Sequence, residues 1–230
     1  MCGRYVSPEQ AFIERAWHIG RGNSNPFPRR YNVAPQQGNP AMHVPVIRLG
    51  EDDEPQLALM QWWLLPSWSK EQRIRNATFN ARVETVATLA SFREPFQRQR
   101  CLVPALGWYE WQELPTGNLP WHFRSATGEL LHFAGLWDHW RSRDGSVVIE
   151  SCSIVIGPAN AAIAPIHDRN PFLIPPAHHE AWMDRGLTDP DKVMQLLQPT
   201  PPGAVVFHRV SHRVNNARNE GPELIEPAAT

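Results

Sequence analysis

No segment of this 230-residue chain approaches the roughly eighteen continuous apolar residues that a membrane-spanning helix needs. The start, MCGRYVSPEQ, has neither the basic flank nor the apolar run of a secretory leader, so a cytoplasmic address and no membrane partner are expected. Cysteine is sparse: Cys2, Cys101 and Cys152 stand far apart, an odd count with no C-x-x-C spacing, which argues against a disulfide framework and a zinc site. There is no H-E-x-x-H, no G-x-S-x-G and no glycine-rich phosphate loop. The usual metal, hydrolase and nucleotide signatures are therefore missing, and no metal or cofactor is expected. Nor is positive charge in excess, with 22 Lys+Arg against 23 Asp+Glu and a net charge of −1. Bulk electrostatics of that kind do not hold a polyanion. One would have to bind a local patch, such as the basic stretch KEQRIR at 70–75 or Arg29-Arg30.

What is present suits one ordinary globular domain spanning 1–230, a monomer by default, with 42% hydrophobic residues and a loose tail at 228–230. The stretch SPEQAFIERAWHI reads as a helix with Ser7 as N-cap, Gln10 closing a capping box and an apolar stripe through Phe12, Ile13, Ala16 and Trp17. A Gly/Asn/Pro-rich loop follows, GRGNSNPFPRR. AMHVPVIRL and PQLALMQWWLL read as two strands joined by the charged turn GEDDE. NARVETVATLASF at 80–92 has helical spacing. RCLVPALGWYEW, ELLHFAGLWDHW and SVVIESCSIVIG read as long strands, PPAHHEAWMDRG (ending at Gly186) and DPDKVMQLLQP as short helices opened by proline, and AVVFHRV as a last strand before a polar tail. Strands dominate the middle without a βαβ rhythm, which points to an α+β fold with mainly antiparallel sheet.

Several polar residues sit in segments that otherwise look structural. Glu110 lies between aromatics in GWYEW. Strand alternation either turns it to water or buries it, and burial would raise its pKa toward neutrality. His167 in APIHDRNP titrates near neutral pH and has Asp168 beside it to orient it, or it is a solvent-facing loop residue like His18, His139 and the His178-His179 pair. Asn80 reads equally well as a helix N-cap, with Arg82 and Glu84 exposed in the first turn, and Asn32 as a turn residue before Pro35. Cys101 and Cys152 fall in apolar runs and read as core thiols. Cys2 is either a small residue at a frayed end or, once Met1 is trimmed, a terminus carrying an α-amine and a thiol on adjacent carbons.

MCGR, RYNVAP, WWLLPSW, NARVET, GWYEW, IHDRNP and VSHRVNNARNEGPELIEP occur in this order from residue 2 to about residue 227. In that order and spacing the chain resembles the SOS-response-associated peptidase (SRAP) family, also described as abasic-site processing proteins. The resemblance implies a barrel-like, mainly antiparallel β core with flanking helices. It also implies covalent capture of abasic sites in single-stranded DNA by the residue exposed when methionine is trimmed. Carried over position by position, Cys2 matches the family nucleophile, and Asn80, Glu110 and His167 match its active-site polar residues. Arg4, Arg82 and Arg169 match arginines near DNA phosphates, and Trp68 matches an aromatic lying against the bases. The amine would attack the C1′ aldehyde of a ring-opened abasic sugar and the thiol would close a thiazolidine on the same carbon, with strand cleavage by β-elimination as a further possibility. The sequence departs from the family pattern at Trp63, where glycine is usual, and at Asn170. Two other readings stay open: a thiol-dependent peptidase using Cys2, which the family name preserves, and a non-covalent binder of single-stranded DNA.

Overall fold

The computed structural model describes residues 2–20, 26–38 and 40–228. The expectations for Met1, for part of the GRGNSN loop and for residues 229 and 230 lie outside them. In chain order the elements are β1 (Tyr5–Ser7), α1 (Gln10–Trp17), β2 (Arg30–Val33), β3 (His43–Leu49), β4 (Pro55–Trp62), β5 (Asn80–Arg82), α2 (Arg93–Arg98) and β6 (Arg100–Ala105). They continue with β7 (Gly107–Gln112), β8 (Leu119–Ser125), β9 (Leu131–Arg141), β10 (Val148–Pro158), β11 (Arg169–Pro171), α3 (His179–Met183), α4 (Pro190–Met194) and β12 (Val205–Arg209). No helix among the described residues is long and apolar enough to cross a membrane.

Five strands close on themselves. β3 pairs with β4, β4 with β10, β10 with β9, β9 with β6, and β6 with β3. All these pairings are antiparallel except β4–β10, which is parallel. Closure removes the open edges that a flat sheet of such apolar strands would expose. β10 outruns the ring, and its far end is flanked by β5, parallel at Ile154–Ile156, and by β11, antiparallel at Ile156–Pro158. A second sheet, ordered β12-β8-β7-β1-β2, is antiparallel throughout. The chain passes from one sheet to the other within a single residue, Leu106, between β6 and β7.

Period-two alternation assigns the faces. Val44, Val46, Met60, Trp62, Cys101, Val103, Cys152 and Ile154 point inward and form one cluster with Tyr5, Trp108 and Phe123 of the second sheet. Their neighbours Ile47, Leu57, Leu102, Leu136 and Val155 point outward, where Ile13, Phe96, Trp182 and Val193 from the four helices cover them. The far face of the second sheet, with Val6 and Tyr109, is covered by Val210, Val214 and Ile225 of the C-terminal segment.

Several expectations are corrected here. Ser7 ends β1 rather than capping α1; the cap is Glu9, without a side-chain bond, and the Gln10 amide bonds Glu14 instead of completing a box. NARVETVATLASF is not a helix. Asn80–Arg82 pairs with β10, Val83 continues that pairing through its N–H to the Ile156 carbonyl, and the rest is a run of turns before α2. A free edge on a central strand outcompetes a modest helical pattern. RCLVPALGWYEW is two strands in different sheets, and PPAHHEAWMDRG is a 3-10 turn followed by α3, which ends at Met183 rather than Gly186. His179 is not solvent-facing: its ring stacks on Trp17, with centroids 5.0 Å apart, and its Nε2 meets the Ile174 carbonyl. The polar tail is an ordered strap over the second sheet, with Val214 and Leu224 fully buried.

Candidate active site

The antiparallel register between β1 and β7 sets Tyr5 opposite Trp108 and Val6 opposite Gly107. Continued backward, it carries the chain start along Tyr109, whose N–H donates to the Arg4 carbonyl at 2.9 Å, toward Glu110. Cys2 is therefore no frayed end. It is fully buried, and it joins the inner cluster. Burial, and then the neighbouring Glu110 carboxylate, push its thiol well above the ordinary value, so the sulfur holds its proton.

Glu110 follows Trp108 by two residues and shares its inward face, while Tyr109 and Trp111 take the other side under the strap. Both faces of β7 are covered, so alternation has no watery side to offer Glu110, and the residue is 1% exposed. Burial raises its carboxyl to about 8, with Asp168 adding to the rise. His167 lies just before β11, and its Nε2 is 3.7 Å from Glu110 Oε2. On the other side of the ring, Nδ1 lies 3.0 Å from the Arg169 amide N–H, which donates to it, and 3.3 Å from Asp168 Oδ1. The Arg169 carbonyl lies 3.1 Å from the same nitrogen. Burial lowers the His167 pKa, which favours the neutral ring, with one nitrogen protonated and the other free to accept.

β5 supplies the third wall. Asn80 Nδ2 donates to the Cys2 carbonyl at 2.9 Å, and its buried Oδ1 accepts no hydrogen bond from the described residues. Arg82, two residues on and so on the same face, is exposed. The Arg169 guanidinium bonds the Glu84 carboxylate. Cys2, Asn80, Glu110 and His167 thus come from four separate stretches of chain: Asn80 bonds the Cys2 carbonyl, His167 faces Glu110, and Glu110 is near enough to Cys2 for its charge to act on the thiol.

The remaining site candidates diverge. Arg4 points away from Cys2: its Nη1 donates to Asn32 Oδ1 at 2.8 Å and to the Val214 carbonyl at 2.7 Å, and its guanidinium lies over the Trp111 ring. Trp68 is 59% exposed on the loop between β4 and β5, its indole N–H bonded to the Ala90 carbonyl. Trp63 tethers the same loop through an indole bond to the Asn76 carbonyl and packs against Phe79. A groove of about 730 Å³ lined by Arg48, Arg98, Trp137, Glu150 and Arg185, among others, contains none of the site residues.

Asn32 is a further residue that pattern reading misjudged. It is not in a turn but fully buried in β2, where its amide donates to the carbonyls of Val214, Asn216 and Asn219 while its oxygen accepts from Arg4. The available signal was a polar residue set between Tyr31 and Val33 in a short β-prone run.

A family model described as SOS response associated peptidase (SRAP) matches residues 1–217. Abasic site processing protein YoqW of Bacillus subtilis (strain 168) is 33% identical over 232 residues, covering 98% of this chain and 99% of its own. Abasic site processing protein HMCES of Pongo abelii is 29% identical over 230 residues, covering 86% of this chain and 64% of its own. A crystal structure of a Bacteroides thetaiotaomicron protein superposes with a TM-score of 0.83 over 100% of both chains; at 23% identity that likeness is one of fold.

Proposed function

This chain belongs to the SOS response associated peptidase family, and from that premise we propose that it processes abasic sites in DNA by capturing them covalently through Cys2. The observation that carries the reading is Cys2 itself, a second residue buried against a carboxyl held near pH 8 and anchored through its carbonyl by Asn80. The relatives' names, abasic site processing proteins, support the substrate class. Single-stranded DNA is the form in which a base-less sugar is most accessible, and a monomer suffices for the chemistry.

Removal of Met1 frees the Cys2 α-amine, whose ordinary pKa of about 7.7–8.0 leaves part of it neutral at working pH. The amine adds to the C1′ aldehyde of the ring-opened sugar and gives a carbinolamine. Glu110, protonated at neutral pH, gives its proton to the departing hydroxyl, so water leaves and an iminium forms beside a new carboxylate. The Cys2 sulfur then attacks C1′ while its proton passes to Glu110. The ring nitrogen keeps its own hydrogen, Glu110 is restored, and the net loss is one water. A thiol kept protonated until a base appears beside it suits this order of events. His167 is the base for opening the hemiacetal, and the Asn80 Oδ1 accepts from the amine or carbinolamine without adding charge. Arg82 and Arg169 meet phosphates, Arg4 steadies the strand that presents Cys2, and the Trp68 ring lies against a base.

A thiol peptidase needs a thiolate, which is favoured by electropositive, partly exposed surroundings. Burial beside a carboxyl does the reverse at Cys2, so we rank capture above proteolysis. The test is a denaturing gel after incubation with a single-stranded oligonucleotide carrying one abasic site. A slow-migrating band with wild type and none with Cys2→Ala is expected; equal bands with both, or none with either, would sink the reading.

A further inference from the structure

We propose that the loop joining β4 to β5 is a preformed platform for the sugar-phosphate backbone of the bound strand, with Lys70, Arg73 and Arg75 as its phosphate contacts. This rests on the DNA-processing reading above and extends it to residues outside the capture site.

The loop lacks regular secondary structure, yet it is tied down along its length. The Ser67 N–H donates to Asp138 Oδ2 at 2.8 Å, the Trp140 indole donates to the Ser69 carbonyl at 2.7 Å, and the Trp63 indole donates to the Asn76 carbonyl at 3.1 Å. Gln37 clasps Ile74 twice, donating to its carbonyl and accepting from its N–H. Next to that clasp the Arg73 guanidinium lies directly on Gly38, where a Cβ would collide with it; Gly38 has φ +95°, which also favours glycine. Arg73 is therefore seated by the backbone rather than by a carboxylate.

The charges on this frame are uncommitted. Lys70, Arg73 and Arg75 are exposed, and among the described residues none of them enters an ion pair, whereas Arg29, Arg30, Arg48, Arg98, Arg169, Arg185 and Arg213 all do. In a chain of net charge −1, three cations against the single carboxylate of Glu71 within six residues on an anchored loop are a local concentration of positive charge. The exposed Trp68 ring sits at one end of this loop and Asn80 follows the other. Spaced cations and an exposed aromatic ring on one anchored loop supply the two kinds of contact, to phosphates and to bases, that hold a single strand regardless of sequence. Anchoring lowers the ordering cost of binding.

The test is anisotropy titration of an unmodified single-stranded oligonucleotide across a salt series. Each lost phosphate contact removes about 0.7 from the slope of log affinity against log salt. The triple variant Lys70→Gln/Arg73→Gln/Arg75→Gln should lose about 2 in slope. The double variant Lys70→Gln/Arg75→Gln, which leaves the Gly38 seat intact, should lose about 1.4. Arg15→Gln/Lys192→Gln, on helices over the outer face, should lose nothing. Wild-type slope and affinity in both loop variants would overturn the proposal even if the abasic-site adduct forms. Failure of wild type to form any adduct, with the slope still falling in the loop variants, would overturn the capture reading and leave the platform standing.

Discussion

The buried Glu110 carboxyl ties the stability of the fold to pH through one proton. Burial lifts its carboxyl from an ordinary 4.5 to about 8. At about 1.4 kcal/mol per pK unit this is worth at most about 5 kcal/mol, an upper bound because a charged buried site relaxes and admits water. The sign follows from proton counts. Between pH 4.5 and about 8 the folded chain keeps a proton that the unfolded chain has released. The contribution is fully present below pH 4.5 and is lost as pH rises through about 8. Wild type should therefore lose about 3 kcal/mol relative to Glu110→Gln between roughly pH 5 and pH 8, and the variant should be the more stable protein on the alkaline side. Urea unfolding of both proteins at several pH values singles out Glu110 with the groups it touches, because titrations remote from it cancel in the difference. A difference that stays flat with pH would mean an ordinary carboxyl at position 110 and would refute the reasoning. The same variant should also slow capture, since it can neither protonate the departing hydroxyl nor take up the thiol proton.

Cys2→Ser keeps the amine but offers no sulfur to close the ring; adducts should survive denaturation only after borohydride trapping, and strand cleavage by β-elimination should rise. Stable adducts without trapping would contradict the role given to the thiol. Asn32→Ala strands the Arg4 guanidinium and the strap carbonyls that Asn32 now satisfies, and should cost about 3 kcal/mol, read as a lower urea midpoint. A change within about 0.5 kcal/mol would show that the strap does not depend on it. Trp68→Ala should weaken single-strand affinity by about 1–3 kcal/mol and leave the melting temperature unchanged, because the ring is 59% exposed. Unchanged affinity would remove Trp68 from the binding surface.

The strands of the barrel were largely legible in the sequence as apolar, β-branched runs between turn residues, whereas their closure into a barrel was implied only by the family resemblance. VPVIRL, LALMQW and SCSIVI carry inner and outer residues in strict turn, and the structure sorts them accordingly. The short elements were not legible. β1, β2, β5 and β11 are three or four residues long, too brief for any period to register, and they form because a longer neighbour offers an open edge. NARVET shows the consequence: its helical spacing is real, but β10 recruits its first three residues. At the site, Asn80, Glu110 and His167 stood out as polar residues in apolar or ordered settings, yet whether Glu110 faced water depended on the packing of the Trp108 face of β7 against barrel residues distant in sequence. The burial of Cys2 follows from the β1–β7 register, which no local pattern encodes. Asn32 was missed for the same reason, since its partners at Val214, Asn216 and Asn219 are distant in sequence.

The most direct test of covalent capture by Cys2 is the intact mass of the protein before and after incubation with an oligonucleotide carrying one abasic site. The account predicts a starting mass without Met1, an adduct equal to protein plus oligonucleotide less one water, and a modified peptide that begins at Cys2. Trimmed protein that shows no mass shift, or a shift that maps to any other residue, would contradict it.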